Sequence, residues 1–281
     1  MIIHFSCGAT SAIAGAIALK TNPDAEIIYA DTGAEHPDNA RFMADCEEKL
    51  FKKKVTVLKN PDYKDLYDYL EKNKRIGFVH GAPCTTDLKK MVIRDYLGIR
   101  LLEEKHVYGY DVGEPERIKR YRENNPEIQM ILPLIDHNLS KANCLALLMR
   151  FEIEIPSMYK LGYSHSNCIG CVKGSQGYWE AIRQDFPFIF DWFAKHERNI
   201  GALVDKENKD GERKGAAINK TYAGGDGRKR LFLDEWPEGI KADRQFEISC
   251  GYTCGMVGDL IEEKTDAKGL DNVDGIFWWM T

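Results

Sequence analysis

Over its first 140 residues the chain alternates short apolar runs with longer amphipathic stretches. Runs that fit strands are Ile2–Phe5, Glu26–Ala30, Lys54–Leu58, His106–Tyr110 and Gln129–Pro133. Between them, Thr10–Lys20, Asn39–Leu50, Tyr63–Asn73, Thr85–Leu97 and Glu114–Asn125 carry apolar residues at helical spacing. This alternation is the signature of βαβ units on a parallel sheet. It predicts an α/β fold, a doubly wound and mostly parallel sheet. Pro37 sits near a helix start, where its missing N–H costs nothing. Ser140 fits the N-cap of a further helix, Ser140–Phe151.

From about Pro156 the texture changes. The stretch Ser157–Trp179 is rich in Gly, Ser and Asn with aromatic anchors, and a helix is predicted over Tyr178–Ile200. The segment Asp205–Arg230 is polar, Gly-rich and locally basic. The predicted organisation is therefore an α/β nucleotide-binding domain over residues 1–155 and a cysteine-bearing C-terminal segment over 156–281, with the Gly-rich loop at 205–230.

Composition narrows the class. With 281 residues, 43% of them hydrophobic, the chain can bury a large core. A net charge of −5 argues against a protein that coats nucleic acid, while leaving room for a local basic patch. The N-terminal apolar run is too short for a secretory signal, and nothing reaches the roughly 18 apolar residues of a membrane span. The expectation is a cytoplasmic protein without membrane contact. In that compartment thiols stay reduced, so the eight cysteines point to metal or catalytic use.

Two loops stand at strand ends. Ser6-Cys7-Gly8-Ala9-Thr10-Ser11 follows the first strand and opens a helix, and Asp31-Thr32-Gly33 follows the second. In an open parallel sheet, ligands sit beyond the carboxyl ends of the strands. Small residues at a helix N-terminus let backbone N–H groups approach an anion. Together the two loops predict a nucleotide crevice. Cys7, at that helix N-terminus, is either a reactive thiol or a small residue tolerated in a tight loop.

Taken in order, several motifs resemble the phosphoadenylyl-sulfate reductase family of the adenine-nucleotide α-hydrolase-like (PP-loop) fold. They are S-x-G-x-x-S at Ser6–Ser11, DTG followed by Glu35-His36-Pro37-Asp38-Asn39, and Cys84-Thr85-Thr86-Asp87-Leu88-Lys89. The region Tyr108-Gly109-Tyr110 through Glu114 and Arg117, and Gly162-Tyr163 with Cys168-x-x-Cys171, complete the set. Related pyrophosphatases carry S-G-G-x-D-S, whereas Cys7 and Thr10 stand here at the second and fifth positions. Losing that Asp tilts the implied ligand from ATP toward an adenylyl sulfate, either the 3′-phosphorylated form (PAPS) or the plain one (APS).

The resemblance implies roles for particular residues. Ser6, Cys7, Gly8, Thr10 and Ser11 would surround the anion. Asp31, Thr32, Gly33 and Gly109 would shape the crevice, while Lys89 and Arg117 compensate charge. Lys90, Arg94, Lys119, Arg120 and Arg122 add to the positive charge on the same two helices. His36 and His80 lie in loops beside the crevice. Cys250-Gly251 is similar to the late Cys-Gly whose thiol attacks sulfur in sulfonucleotide reductases, with release of the adenylate. A thiol electron donor would then restore the enzyme, and Cys84 is a second candidate for the chemistry.

The cysteines admit other groupings. Cys168, Cys171, Cys250 and Cys254 could hold zinc or an iron–sulfur cluster. Cys84 with Cys168 and Cys171 resembles a three-ligand [4Fe–4S] arrangement in ATP-dependent sulfur transfer, where the basic loop would meet a nucleic-acid acceptor. A nucleotide-sensing protein without turnover is the third reading. Cys46 and Cys144 lie among apolar neighbours and are expected in the core. Trp278-Trp279 is expected to pack the tail or to seal an interface between copies.

Overall fold

The computed structural model describes residues 1–74, 76, 82–203, 232–237, 239–246, 248, 276 and 280, without the side chains of 201–203. Five strands form one sheet: β1 (Ile2–His4), β2 (Glu26–Ala30), β3 (Thr56–Leu58), β4 (Lys105–Val107) and β5 (Gln129–Ile131). Their order is β3-β2-β1-β4-β5, and every pairing is parallel. The chain thus moves outward from β1 to β3, then returns to place β4 on the other side of β1. That reversal opens a crevice at the carboxyl ends of β1 and β4.

Helices cover both faces. On one side, α1 (Ala9–Thr21) packs between the sheet and α9 (Lys141–Arg150). Ile3, Ile13, Ile27, Val107, Leu147 and Leu148 form the core there. α1 is apolar around most of its circumference because it is enclosed on both sides. On the other face, Ile2, Ile28 and Leu58 meet Ile93 and Leu97 of α5 (Met91–Leu97). β1 therefore alternates Ile2 toward one helical layer and Ile3 toward the other, the pattern of a strand buried on both faces.

The remaining helices are α2 (Asn39–Asp45), α3 (Leu66–Asn73), α4 (Pro83–Thr85), α6 (Arg100–Glu103), α7 (Pro115–Asn124), α8 (Pro133–Asp136), α10 (Ser157–Lys160), α11 (Gln176–Asp185) and α12 (Pro187–Leu203). π-helical turns extend α2 through Cys46–Phe51 and join α4 to α5 through Thr86–Lys90. A second core joins Leu66, Tyr69 and Leu88 to Met158, Trp179, Ile182 and Phe193, so residues after 156 pack against the helices beside the sheet. Among the described residues no helix is long and apolar enough to cross a membrane.

Among the boundaries that differ from those expected, three have a clear local reason. α3 begins at Leu66 rather than Tyr63, because the Asp65 carboxylate accepts from the Asp68 N–H at 2.8 Å and caps the helix. The helix expected over Tyr178–Ile200 is two helices. Pro187 forces Phe186 out of helical geometry (φ −137°, ψ 60°), and α12 restarts on the proline. β4 ends at Val107: the Tyr108 N–H makes a last bond to the Ile131 carbonyl at 3.1 Å, and at Gly109 the chain lies against α1. Cys46 and Cys144 are buried in the core as expected. The loop 205–230 and Trp278-Trp279 lie outside the described residues.

Ser140 caps α9 with a reciprocal box: Asn143 N–H donates to Ser140 Oγ, and Asn143 Oδ1 accepts from Ser140 N–H at 2.8 Å. Because α9 braces α1, Ser140→Ala should lower unfolding stability by about 1 kcal/mol. Urea denaturation would show this as an earlier midpoint at unchanged slope.

Candidate nucleotide crevice and its thiol flank

The first loop is organised by hydroxyls. Ser11 Oγ donates to the Gly8 carbonyl at 3.0 Å, accepts from Ser6 N–H at 3.1 Å, and lies 3.0 Å from Ser6 Oγ. Gly8 is the N-cap of α1 and offers no side-chain cap. The Tyr159 hydroxyl lies 3.4 Å from the Ala9 N–H, closing the helix end from above. The loop contains no carboxylate, so the partial positive charge of the α1 N-terminus is not offset within it.

Gly109, just past β4, explains how the crevice is kept narrow. A Cβ there would fall 2.6 Å from both the N and Cα of Ser11. Only a glycine lets the end of β4 lie against the first turn of α1. Gly109 thus sets the position of the loop.

Of the two readings of Cys7, the small residue in a tight loop is the one that fits, and the reactive thiol does not. Cys7 adopts a left-handed backbone (φ 55°) that turns its side chain into the core, where it is fully buried with Sγ 3.9 Å from the Asn39 carbonyl. Burial first, then the nearby Glu35 charge, push its thiol well above the ordinary range. The helix N-terminus does not activate it, because the sulfur points away from the anion side.

At the end of β2 a second cluster forms. Gly33 N–H donates to Asp31 Oδ1 at 2.8 Å, and Lys59 approaches the other Asp31 oxygen at 3.8 Å. Thr32 is buried and its hydroxyl donates to Glu35 Oε2 at 2.7 Å. Lys89 Nζ meets Glu35 Oε1 at 3.2 Å, while Cys168 Sγ lies 3.5 Å from the same oxygen and 3.1 Å from Thr32 Oγ1. Glu35 is only 6% exposed. Burial favours its neutral form, but the Lys89 ammonium and the Thr32 hydroxyl outweigh burial, and its carboxyl titrates below the usual range. Glu35 was legible only as one letter of a motif; its position opposite Lys89 comes from folding.

The predicted positive charges take different partners. Lys89 faces Glu35. Arg117 is paired with Glu114 and lies over the Tyr110 ring at 5.1 Å. Lys119 and Arg122 border a separate groove beside α7 with Val112 and Ile135. Arg94 is exposed next to Asp95. His36 Nδ1 accepts the Asp38 N–H at 3.1 Å and serves the loop, while His80 lies outside the described residues.

Cys168 and Cys171 are both buried thiols. Cys84 is half-buried at the start of α4 and packs on the same apolar cluster. Cys250 and Cys254 lie outside the described residues. Among the described residues no three His, Cys, Asp or Glu side chains are grouped to hold a metal.

The sequence profile of the phosphoadenosine phosphosulfate reductase domain matches residues 1–176. The chain belongs to the phosphoadenosine phosphosulfate reductase family. The matched span takes in all five strands, both strand-end loops and the Cys168–Cys171 turn. Among solved structures, the phosphoadenylyl-sulfate reductase of Candida auris in its phosphate complex is similar over 59% of this chain and 80% of that chain. Their identity is 13% and the TM-score 0.43. No curated protein matches the chain.

Beneath this family crevice, between β1 and β4, is a pair of histidines not expected from the sequence. His106 Nε2 lies 3.0 Å from the Leu101 carbonyl, which can only accept, so His106 Nδ1 accepts in turn from His4 Nε2–H at 2.8 Å. His4 also stacks on Tyr108 at 4.5 Å. Burial first, then His106, press the His4 pKa down to about 3; burial lowers His106 as well. In the unfolded chain both imidazoles titrate near about 6.5. Below that pH the unfolded state binds protons that the folded state refuses, so stability is full above it and falls as pH drops toward 3. Urea midpoints should decline between about pH 7 and about pH 5, and His4→Gln should flatten that decline.

Proposed function

We propose that this family member binds a sulfated adenylate, PAPS or APS, across the β1–β4 crevice and acts on its sulfur through a thiol. The observation that carries the reading is the hydroxyl-lined, carboxylate-free loop at the α1 N-terminus within the family-matched span. Such a loop suits a bound sulfate or phosphate. The carboxylate that ATP pyrophosphatases place there is replaced by Thr10.

In this reading the anion oxygens accept from Ser6 and Ser11 hydroxyls and from the first N–H groups of α1. The Tyr159 hydroxyl yields its place at Ala9 when the anion arrives. Lys89 and Arg117 compensate charge by sharing themselves between substrate and their carboxylate partners, Glu35 and Glu114. The attacking thiol is that of Cys250, which the late Cys-Gly motif favours. It bonds to sulfur while the S–O bond breaks, with the electron pair leaving on the nucleotide phosphate.

Titration calorimetry with PAPS, APS and ATP on the full chain tests binding, and a sulfite assay with dithiol reductant tests turnover. A sulfonucleotide should bind more tightly than ATP, and Cys250→Ser should abolish sulfite release while leaving binding unchanged. Preference for ATP, with no sulfite formed, would overturn the reading in favour of ATP-dependent sulfur transfer. Separately, Gly109→Val should displace the first turn of α1 and weaken nucleotide binding by at least about tenfold, a loss of roughly 1.4 kcal/mol. Calorimetry on the folded variant checks this.

A further inference from the structure

α7 carries more than the Arg117–Glu114 pair. Pro115, Ile118, Lys119 and Arg122 recur along it at helical spacing and so share one stripe. That stripe lines a groove together with Val112, just past β4, and Leu132 and Ile135, just past β5. The groove has a volume of about 490 Å³, within the roughly 300–1,000 Å³ of small-molecule sites. Its deep lining is fixed: Ile118 and Leu132 are buried and pack with Tyr108, Tyr110 and Tyr121. Val112 and Ile135 are exposed and continue the apolar surface outward.

Charge at the groove is unbalanced. Arg117 is paired with Glu114, and Arg120 donates to the Glu116 carbonyl at 3.4 Å. Lys119 and Arg122 are exposed, and among the described residues neither has an ion pair or a hydrogen bond. Glu123 is the single carboxylate in the lining, so the groove keeps one positive charge on a chain of net −5. Residues three apart on a helix are neighbours, so one anionic group can meet both cations, the Arg122 fork in a bidentate manner. Two cations make no track for a nucleic-acid backbone. Two exposed apolar side chains fall well short of the roughly 800 Å² per partner of a stable protein interface. The size and chemistry fit a small organic anion.

We propose that the groove between α7 and the turn after β5 binds an organic monoanion with an apolar body, at a site separate from the nucleotide crevice. Lys119 and Arg122 hold the carboxylate or sulfonate of the ligand, and Val112, Ile118, Leu132 and Ile135 enclose its body. The apolar lining supplies affinity without direction, through area removed from water. The two cations supply orientation, since the anionic group is drawn to the rim while the body enters the groove. The proposal stands apart from the sulfonucleotide reading, since it needs neither nucleotide nor thiol.

The test titrates the full chain with anilinonaphthalene sulfonate, an aromatic body with one sulfonate, and follows dye fluorescence and the methyl NMR signals of Ile, Leu and Val. The dye should saturate one site and shift the methyls of Val112, Ile118, Leu132 and Ile135. Phenylnaphthylamine, which has the same body without the sulfonate, should bind at least about tenfold more weakly. Lys119→Glu combined with Arg122→Glu should weaken the sulfonate dye at least about tenfold and leave the neutral one unchanged. If that double variant does not fold, Ile135→Asp, a change at an exposed position, should weaken both dyes. Excess PAPS or ATP should not displace the sulfonate dye. Absence of saturable binding, methyl shifts elsewhere in place of these four residues, affinity indifferent to the substitutions, or displacement by either nucleotide would each overturn the proposal.

Discussion

Removing a carboxylate from water costs on the order of several kcal/mol unless donors replace the lost hydration. Glu35 meets that cost with donors from three separate parts of the chain. Thr32 supplies its hydroxyl and N–H, and Ala34 its N–H, from the loop after β2. Lys89 comes from the π-helical turn between α4 and α5, and Cys168 from the segment that crosses the strand ends. None of these elements could shift without stranding a buried charge. The carboxylate therefore does for the β2 side of the crevice what the Gly109–Ser11 backbone contact does for the β1 side.

These two constraints divide the labour of the site. The β1–β4 side is backbone, hydroxyls and helix dipole, features whose chemistry suits an anion. The β2 side has a buried charge pair with a thiol against it. Asn39 joins them: its carbonyl meets Cys7 below the anion loop, and its side-chain oxygen accepts from Ser166, two residues before Cys168. A ligand that drew Lys89 away from Glu35 would leave that carboxylate to Thr32, the loop N–H groups and Cys168.

Much of the fold was legible because its signals are local. Burial of β1 and β2 on both faces leaves near-continuous apolar runs, and amphipathic helices leave a 3.6-residue period. The Ser140 cap is written in the sequence as well, since capping needs only residues three apart. What local reading missed were competing local effects, such as Asp65 capping α3 late and Pro187 splitting a helix with continuous apolar spacing. Both residues are visible in the sequence, but their weight against periodicity is settled by packing.

The site was legible as a set of motifs and opaque as a set of contacts. By itself the sequence determined the parallel α/β architecture, the anion loop at the first strand end, and a Cys-x-x-Cys turn pivoting on glycine. Tertiary structure decided that Cys7 points into the core, that Lys89 and Arg117 already hold carboxylate partners, and that Glu35 faces Cys168 across 133 positions of chain. It also brought His4 and His106 together across adjacent strands. The physical reason is range: propensity, capping and turn geometry act within a few residues. Burial, ion pairing and proton paths depend on which distant segments the sheet order brings side by side.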